Sequence, residues 1–487
     1  MAEKQGVVGS LLWKLMERFG VQTIQFLLQI VLARLLSPDH YGVLALMITF
    51  ISIANVFIQS GFNTALIQGK EVKDDDFSSV FWLTLGVASL LYIVLFFAAP
   101  MIGRFFNMPD FVNKFRVLAL VLLPGALNSV QLAKISRAMD FKKVFYSNIG
   151  GIVVSGIVGV SLAFMGKGIW ALVAQNMTNV IIASIVMWFT VKWRPQFTIN
   201  FKRLKVLFAF GWKLMASGMM DVLYLEMRGL VIGKKYKKST LGFYNRGKQF
   251  PQFLIDGING ALQSVMLPAL SSRQSRTSEV KTLMRNSILM SSYILFPLMA
   301  LLAGVSEPLI AWLLTDKWLP AAPYMQIYCF TLALFPIHTC NLQAINAIGR
   351  SDIFLKLEII KKILSLLLLV GAIIFFDSPI MIAWTGAISG VLGLFINAWP
   401  NKKLVDYSYF EQMKDVGPYF GISCFIFIIL ILLKRILPLS PLAGWLVLGL
   451  LGLGIYILFS LIIKPQAYLL TRSILRASRE KMKEGRS

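Results

Sequence analysis

The sequence has few charged residues and few cysteines for a chain of 487 residues. Charged side chains make up 15% of it and hydrophobic ones 57%, and the mean hydropathy is +0.71. Cys329, Cys340 and Cys424 each stand alone in an apolar stretch, so no disulfide framework or metal motif is indicated. No connection between the apolar stretches is long enough to bury a core of its own, which excludes a large catalytic domain outside a membrane.

Acidic residues are scarce, with 23 Asp and Glu against 48 Lys and Arg and a net charge of +25. The basic residues are scattered over many short connections, and no aromatic-lined basic groove is visible. Nucleic acid is therefore not an expected partner. Residues 1–10 lack a short apolar core followed by a cleavage site, so we expect the first apolar run to be retained.

Long apolar runs fill most of the chain. Runs of about 20 apolar residues cross a bilayer as helices, and the pattern predicts an all-α polytopic membrane protein with about fourteen of them. The candidate spans are residues 10–33, 41–62, 79–100, 115–133, 145–165, 169–191, 207–232, 250–270, 287–313, 321–346, 354–376, 380–400, 417–437 and 441–463.

Lys and Arg are concentrated in alternate connections. With a cytoplasmic N-terminus, most of them fall on the inner side together with the tail 464–487, so we predict that both termini are cytoplasmic. The connection between spans seven and eight is an exception on the outer side. It holds Lys234, Lys235, Lys237, Lys238, Arg246 and Lys248. Either this segment is functionally basic or the span count before it is off by one. We favour the first, since an odd count would reverse the bias of every later connection.

The tetrapeptide Trp-Lys-Leu-Met occurs twice, at 13–16 and 212–215, and polar residues follow each copy. The two sets are Lys14, Arg18, Gln22, Gln25 and Gln29, and Lys213, Ser217, Asp221, Tyr224 and Arg228. Steps of three and four residues place each set on one helix face. A charge at the centre of a bilayer costs roughly 2.5–3.5 kcal/mol, so we expect both stripes to line a cavity. Snorkelling from helix ends is the alternative for Lys14 and Lys213.

The two copies mark spans one and seven, so each repeat holds six helices in the same orientation. We predict an N-terminal lobe at 1–205, a C-terminal lobe at 206–400, two further spans at 401–463 and a basic cytoplasmic tail at 464–487. The second helix of each repeat is also polar. Its residues are Asn55, Gln59 and Asn63 in span two, and Gln252, Asp256, Asn259 and Gln263 in span eight. They either line the cavity or join helices by hydrogen bonds.

Acidic residues share the cavity helices. They are Glu17, Asp221, Glu226 and Asp256. They either pair with the cations or bind an H⁺ or Na⁺ whose release accompanies transport, and no other cofactor or metal is expected. The candidate hinges are Pro251, Pro268, Pro297, Pro336 and Gly150-Gly151. His338 is expected to be a hydrogen-bonded residue, with a protonatable site as the alternative.

Short motifs extend over nearly the whole chain. They are Ala33-Arg34-Leu35-Leu36-Ser37-Pro38 with Tyr41-Gly42, Gly61-Phe62 with Ala65-Leu66-Ile67-Gln68, Leu241-Gly242-Phe243-Tyr244-Asn245-Arg246 with Pro251, and Leu267-Pro268-Ala269-Leu270. They resemble signatures of the polysaccharide transport (PST) family of the multidrug/oligosaccharidyl-lipid/polysaccharide (MOP) flippase superfamily. The similarity is greatest to the Wzx-type colanic acid and teichuronic acid exporters. The motifs indicate the family better than the substrate.

The resemblance implies two six-helix lobes of the MATE and MurJ type. It also implies a flippase that moves polyprenyl-pyrophosphate-linked oligosaccharide across the bacterial plasma (inner) membrane by alternating access, with no catalytic residues. We then expect the pyrophosphate to bind Lys14, Arg18, Lys213 and Arg228, and the sugar to contact Gln22, Gln25, Gln59 and Gln252. The expected partners are this lipid-linked oligosaccharide, membrane lipids, a polysaccharide polymerase and glycosyltransferases, and a monomer is sufficient.

Two other classes of function stay open. A cation-coupled multidrug exporter of the same superfamily would share the fold, but the predicted stripes hold more base than acid, which favours anionic cargo. A membrane glycosyltransferase or polymerase is the second, because Asp74-Asp75-Asp76 offers a nominal Asp-x-Asp metal site. No nucleotide-binding unit surrounds that triplet.

Overall fold

A computed structural model describes residues 20–59, 61–69, 72–274 and 276–473, and over these ranges the chain is helical without a β-strand. The predicted all-α class is confirmed. The helices before residue 236 are α1 Gln22–Leu35, α2 Pro38–Gln59, α3 Phe62–Gln68, α4 Asp74–Phe105, α5 Phe111–Ala119, α6 Leu122–Ala138, α7 Phe141–Phe164, α8 Ile169–Thr190 and α9 Phe201–Lys235. Those that follow are α10 Lys238–Ser271, α11 Thr277–Gly304, α12 Ser306–Leu314, α13 Ala322–Ala333, α14 Phe335–Ala347, α15 Ser351–Phe375, α16 Pro379–Ala398, α17 Asn401–Val405, α18 Tyr409–Ile436 and α19 Pro441–Ile463.

Several helices begin where the sequence supplies a cap. The side chain of Asn200 accepts a hydrogen bond from the backbone N–H of Arg203 at the start of α9. Ser408 does the same for Glu411 at the start of α18. Proline occupies the first turn of α2, α16 and α19, where its missing N–H removes no helical hydrogen bond. These local signals determine where the membrane-crossing segments start.

Among the described residues, ten helices, or eleven with one bent pair, are long and apolar enough to cross a bilayer, so the predicted count of fourteen is not confirmed. Each predicted span still overlaps a helix or a pair of short helices. The described part of α1 has only 14 residues. The tenth predicted span breaks at Leu334 into α13 and α14, and α15 contains the charged residues Glu358, Lys361 and Lys362.

The bent pair is α9, whose parts Phe201–Ala209 and Gly211–Lys235 meet at 50°. At the bend the backbones of Gly211 and Gly61 are in contact. A Cβ on Gly211 would lie 2.8 Å from the carbonyl oxygen of Gly61, and a Cβ on Gly61 would lie 3.0 Å from that of Gly211. Backbones approach this closely where small residues meet. The bend lies away from the hinge positions that the sequence suggests.

Two compact units make up the chain, Met1–Asn245 and Arg246–Ser487. In the first, α7 and α8 form an antiparallel hairpin, α4 packs on α5 and α6, and α9 packs on α2 and α3. In the second, α11 packs on α13, α14 and α18, and α15 packs on α16. The first unit extends past residue 205, the predicted lobe boundary, because α9 packs on helices of the first repeat. The assignment of the repeats to lobes stays a prediction.

The first unit has two distinct ends. Residues 39–40, 106–108, 169 and 234–240 border one cavity, so the turns before α2, α5, α8 and α10 lie at the same end. The turns between the other pairs of helices lie at the opposite end, where Asp76 forms an ion pair with Arg203. With the predicted cytoplasmic N-terminus, the cavity marks the outer end of the unit and the ion pair marks its inner end.

Candidate functional site

Lys14, Glu17 and Arg18 lie outside the described residues, so the charged part of the first stripe is not placed. Of its glutamines, Gln22 is half-buried and Gln25 is exposed, both in the first turn of α1. Helix α1 packs on α7. The role of this stripe therefore stays a prediction.

The second stripe follows the long part of α9. Lys213, Ser217 and Asp221 are exposed, although the helix is of membrane-crossing length. Farther along, Arg228 is only 7% exposed, and its guanidinium lies 5.6 Å from the centre of the Tyr224 ring. Because an α-helix rises about 1.5 Å per residue, Lys213 and Arg228 are roughly 22 Å apart along the axis. One pyrophosphate cannot contact both residues in this conformation.

Glu226 joins α9 to α2. Its carboxylate accepts a hydrogen bond from the hydroxyl of Thr49, with 2.7 Å between Oε2 and Oγ1. Thr49 is buried. Hydrogen bonds to a carboxylate are roughly twice as strong as those between neutral groups, so this contact helps to position α9 on α2. At the far end of α2, Gln59 is exposed.

In the second unit, Gln252, Asp256 and Asn259 of α10 have protein partners. The side-chain amide of Gln252 donates a hydrogen bond to Oδ1 of Asp256, one turn later. One turn further, the buried Asn259 accepts a hydrogen bond of 2.6 Å from the hydroxyl of Thr339 in α14. The hydrogen bond of Asn259 joins α10 to α14, which is the alternative role to cavity lining that the sequence leaves open for these polar residues. Gln252 and Asp256 are half-buried and lie on the same face.

The acidic triplet at 74–76 forms the first turn of α4, where carboxylates suit the positive end of the helix dipole. Asp76, 2% exposed, binds Arg203 through two hydrogen bonds of 2.9 and 2.7 Å. Asp74 forms an ion pair of 2.6 Å with Lys134. Two of the three carboxylates are thus engaged with cations of the protein, which accounts for the triplet without a metal.

His338 and the cysteines occupy positions of the kind that the sequence predicts. Nδ1 of His338 accepts a hydrogen bond from the side-chain amide of Asn397, 3.0 Å away. Cys329 and Cys340 are buried and Cys424 is half-buried, and all three are free thiols. Each of these residues therefore has a structural explanation.

Residues 31–323 match the sequence profile of a family described as polysaccharide biosynthesis protein. The chain is similar to the teichuronic acid biosynthesis protein TuaB of Bacillus subtilis (strain 168), with 25% identity over 356 residues, 71% of this chain and 72% of TuaB. It is also similar to the succinoglycan biosynthesis transport protein ExoT of Rhizobium meliloti (strain 1021), with 20% identity over 351 residues, 72% of this chain and 71% of ExoT.

Among solved structures, the lipid II flippase MurJ in an inward closed conformation has a TM-score of 0.71 to this chain at 16% identity, covering 93% of this chain and 98% of MurJ. At this level of identity the likeness shows the fold, and it confirms the predicted MurJ-like architecture of a multi-pass membrane protein. ExoT and MurJ are named for transport and not for catalysis. This agrees with the expectation that the chain is not an enzyme.

Proposed function

The chain belongs to the polysaccharide biosynthesis protein family, and we propose that it is a flippase. Its cargo is a polyprenyl-pyrophosphate-linked oligosaccharide repeat unit, which alternating access carries across the bacterial plasma membrane for surface polysaccharide biosynthesis. The names of ExoT and MurJ support transport, and the name of TuaB supports a role in polymer biosynthesis. The residues of α9 supply the physical argument.

The exposed polar stripe of α9 carries the proposal. Lys213, Ser217 and Asp221 are exposed within a membrane-length helix. Because a charge that faces lipid costs several kcal/mol, this face is expected to border water. Lysine acts as a point charge toward phosphate oxygens, and arginine holds them bidentately. With Arg228 on the same side of the helix, the stripe suits an anionic head group.

The separation of Lys213 and Arg228 gives the proposed path two steps. Lys213 lies nearer the inner end and Arg228 nearer the outer end. In the proposed cycle the pyrophosphate binds first at the depth of Lys213 and later at that of Arg228. Successive weak sites let cargo enter and leave, whereas one tight site would retain it. Lys14 and Arg18, at the corresponding positions of the first repeat, are proposed to complete the inner site.

The sugar and the tail present different physical demands. Sugar hydroxyls both donate and accept hydrogen bonds, and amides do the same. Gln22, Gln25, Gln59 and Gln252 are therefore the proposed sugar contacts. The polyprenyl tail already favours lipid, so it can remain in the bilayer while only the head group crosses.

Energy coupling is assigned to the acidic residues of the same helices. Asp221 is exposed, Glu226 is held by Thr49, and Asp256 accepts a hydrogen bond from Gln252. Together with Glu17, they are the proposed sites of H⁺ or Na⁺ binding. Neutralising a carboxylate would change its affinity for the hydroxyl or amide that now contacts it, and so would loosen one helix contact during the cycle.

The proposed setting is the bacterial plasma membrane, with both termini in the cytoplasm. Glycosyltransferases would supply the cargo on the inner side, and a polysaccharide polymerase would use it on the outer side. Two lobes in one chain make a monomer sufficient.

The test begins with deletion of the gene in its native host and mass spectrometry of the extracted lipids. We expect a complete polyprenyl-pyrophosphate repeat unit to accumulate while the surface polymer disappears. Wild-type protein should restore export, and the Arg18→Ala and Lys213→Ala double variant should restore about a tenth of it or less, since a charge-assisted contact contributes about 1.5–3 kcal/mol. Lys202→Ala, an exposed lysine at the start of α9, is the matched control and should restore export fully.

Other results would contradict the proposal in distinct ways. Accumulation of incomplete units would indicate a glycosyltransferase. Unchanged lipids with raised drug sensitivity would indicate a multidrug exporter. Full export by the double variant at normal protein level would show that Arg18 and Lys213 do not bind the head group.

A further inference from the structure

A cavity of about 970 Å³ opens at the outer end of the first unit. It is bordered by residues 39–40, 43, 106–108, 110, 114, 169 and 234–240. Its volume is that of sites that bind small molecules, which have about 300–1,000 Å³. We call it the outer cavity. It lies some 10 Å beyond Arg228 along α9, at about 1.5 Å per residue.

The outer cavity is basic. Five lysines and two aspartates line it, which gives a formal charge of +3. The lysines are Lys114, Lys234, Lys235, Lys237 and Lys238. Like charges grouped in one concave site raise its positive potential and attract anions. The positive-inside rule also disfavours lysines in an outer connection, so topology does not account for this cluster.

The lysines differ in how they are engaged. The Lys234 ammonium donates a hydrogen bond to the backbone carbonyl oxygen of Phe105. Its nitrogen also lies 4.2 Å from the centre of the Phe105 ring. Lys114 lies 3.8 Å from Asp110. By contrast, Lys237 and Lys238 form no ion pair within the described part of the chain. Their ammonium groups are available to a ligand.

The backbone beneath these two lysines is fixed by a close helix contact. Lys238 is the first residue of α10, and a Cβ on Gly42 of α2 would lie 1.8 Å from its carbonyl oxygen. The half-buried Ser239 and Thr240 follow and contribute hydroxyl groups to the lining. Lysine charge, hydroxyl donors and the first turn of a helix thus meet on one wall, and each of them favours an anion with several oxygen atoms.

We propose that the outer cavity binds a phosphate-bearing head group at the outer surface of the membrane. Lys237 and Lys238 contact the phosphate directly, and Ser239 and Thr240 donate hydrogen bonds to it. Two sources present this chemistry there, the pyrophosphate of a translocated cargo and the head group of an anionic phospholipid. The first source rests on the proposed function, and the second does not.

The test uses full-length protein in nanodiscs of phosphatidylcholine. Native mass spectrometry and lipid titration would measure binding of undecaprenyl pyrophosphate and, separately, of phosphatidylglycerol. We expect the Lys237→Gln and Lys238→Gln double variant to bind one or both at least about tenfold more weakly than the wild type, in line with the loss of two charge-assisted contacts. The control is Lys167→Gln, an exposed lysine in the neighbouring turn that does not line the cavity. It should bind like the wild type.

Each outcome decides one point. Loss of undecaprenyl pyrophosphate binding alone identifies a site for cargo that has crossed, and loss of phosphatidylglycerol binding alone identifies a phospholipid site. If the double variant binds both lipids as tightly as the wild type does, and has the wild-type elution profile and melting temperature, that result overturns the proposal. So does binding of a carboxylate sugar such as glucuronate with neither phosphate lipid bound. If the double variant loses binding of a phosphate lipid but the gene-deletion test fails, the outer-cavity site stands and the proposed flippase function does not.

Discussion

Gly42 and Gly242 form a reciprocal contact between the starts of α2 and α10. A Cβ on Gly42 would lie 1.8 Å from the carbonyl oxygen of Lys238, and a Cβ on Gly242 would lie 2.2 Å from that of Pro38. Each glycine is the fifth residue of its helix, and each faces the first residue of the other. The contact is therefore reciprocal, and it holds the first turns of the two helices against each other.

We expect Gly42→Ala and Gly242→Ala each to lower the free energy of unfolding by about 1–3 kcal/mol, since added methyl groups in a packed contact force the backbones apart. Thermal unfolding in detergent would measure the loss. Gly86→Ala is the control, because nothing lies within 4 Å of the position of its Cβ. Equal stability of Gly42→Ala and Gly86→Ala would show that the helix starts are not held by this contact.

The ion pair of Asp76 and Arg203 supports a second prediction. Asp76→Asn replaces the buried carboxylate of the pair and leaves Arg203 without its bidentate partner. Because Arg203 is 39% exposed, water compensates in part, and we expect a loss of about 1–3 kcal/mol, below the 3–5 kcal/mol typical of fully buried pairs. The yield of folded protein and its melting temperature would report it. Asp75→Asn, at the exposed neighbouring position, should change neither. An effect at Asp75 as large as at Asp76 would instead favour the metal-site interpretation of the triplet.

The hydrogen bond from Thr49 to Glu226 supports a third prediction, about the contact between α2 and α9. Thr49→Val removes the donor with little change of shape, and bonds to charged groups contribute about 1.5–3 kcal/mol. We expect a loss of stability of that size, measured by thermal unfolding. Thr282→Val provides the comparison, because that exposed hydroxyl bonds within its own helix. Equal melting temperatures of the two variants would mean that the contact between α2 and α9 does not depend on Glu226.

Hydration of the α9 stripe can be measured by thiol labelling. In a chain with Cys329→Ala, Cys340→Ala and Cys424→Ala, we expect Lys213→Cys and Ser217→Cys to react at least about tenfold faster with a water-soluble maleimide than Leu450→Cys. A thiol reacts as the thiolate, which needs water. Leu450 is 67% exposed on the apolar helix α19 and serves as the lipid-facing control. Equal, slow labelling of all three would place the stripe against lipid and would contradict the transport path along α9.

The all-α class and the positions of the apolar helices can be predicted from the sequence, because helices that cross a bilayer need long apolar runs. Helical periodicity, which is a local property, also predicts that Lys213, Ser217 and Asp221 share one face of α9, and all three are exposed. The distance between Lys213 and Arg228 follows from the same periodicity, but the burial of Arg228 depends on residues distant in the chain.

Other features could not be predicted because they depend on contacts between residues far apart in the chain. The bend at Gly211 occurs in an apolar stretch without proline, and it depends on contact with Gly61, 150 residues earlier. The partner of Asp76 lies 127 residues away. The basic segment at 234–238 was noted from the sequence, whereas the cavity that it lines is made by turns from four separate helix pairs.

The contact at Gly211 also sets the rotational phase of the rest of α9. Arg203 is fastened to Asp76, and Gly211 lies against Gly61, so the eight-residue interval between them has a fixed length. Lys213 follows two residues later. One residue inserted into that interval would turn everything beyond it by about 100° around the helix axis. The charges of α9 would then point away from their present face, although the composition and hydropathy of the helix would hardly change.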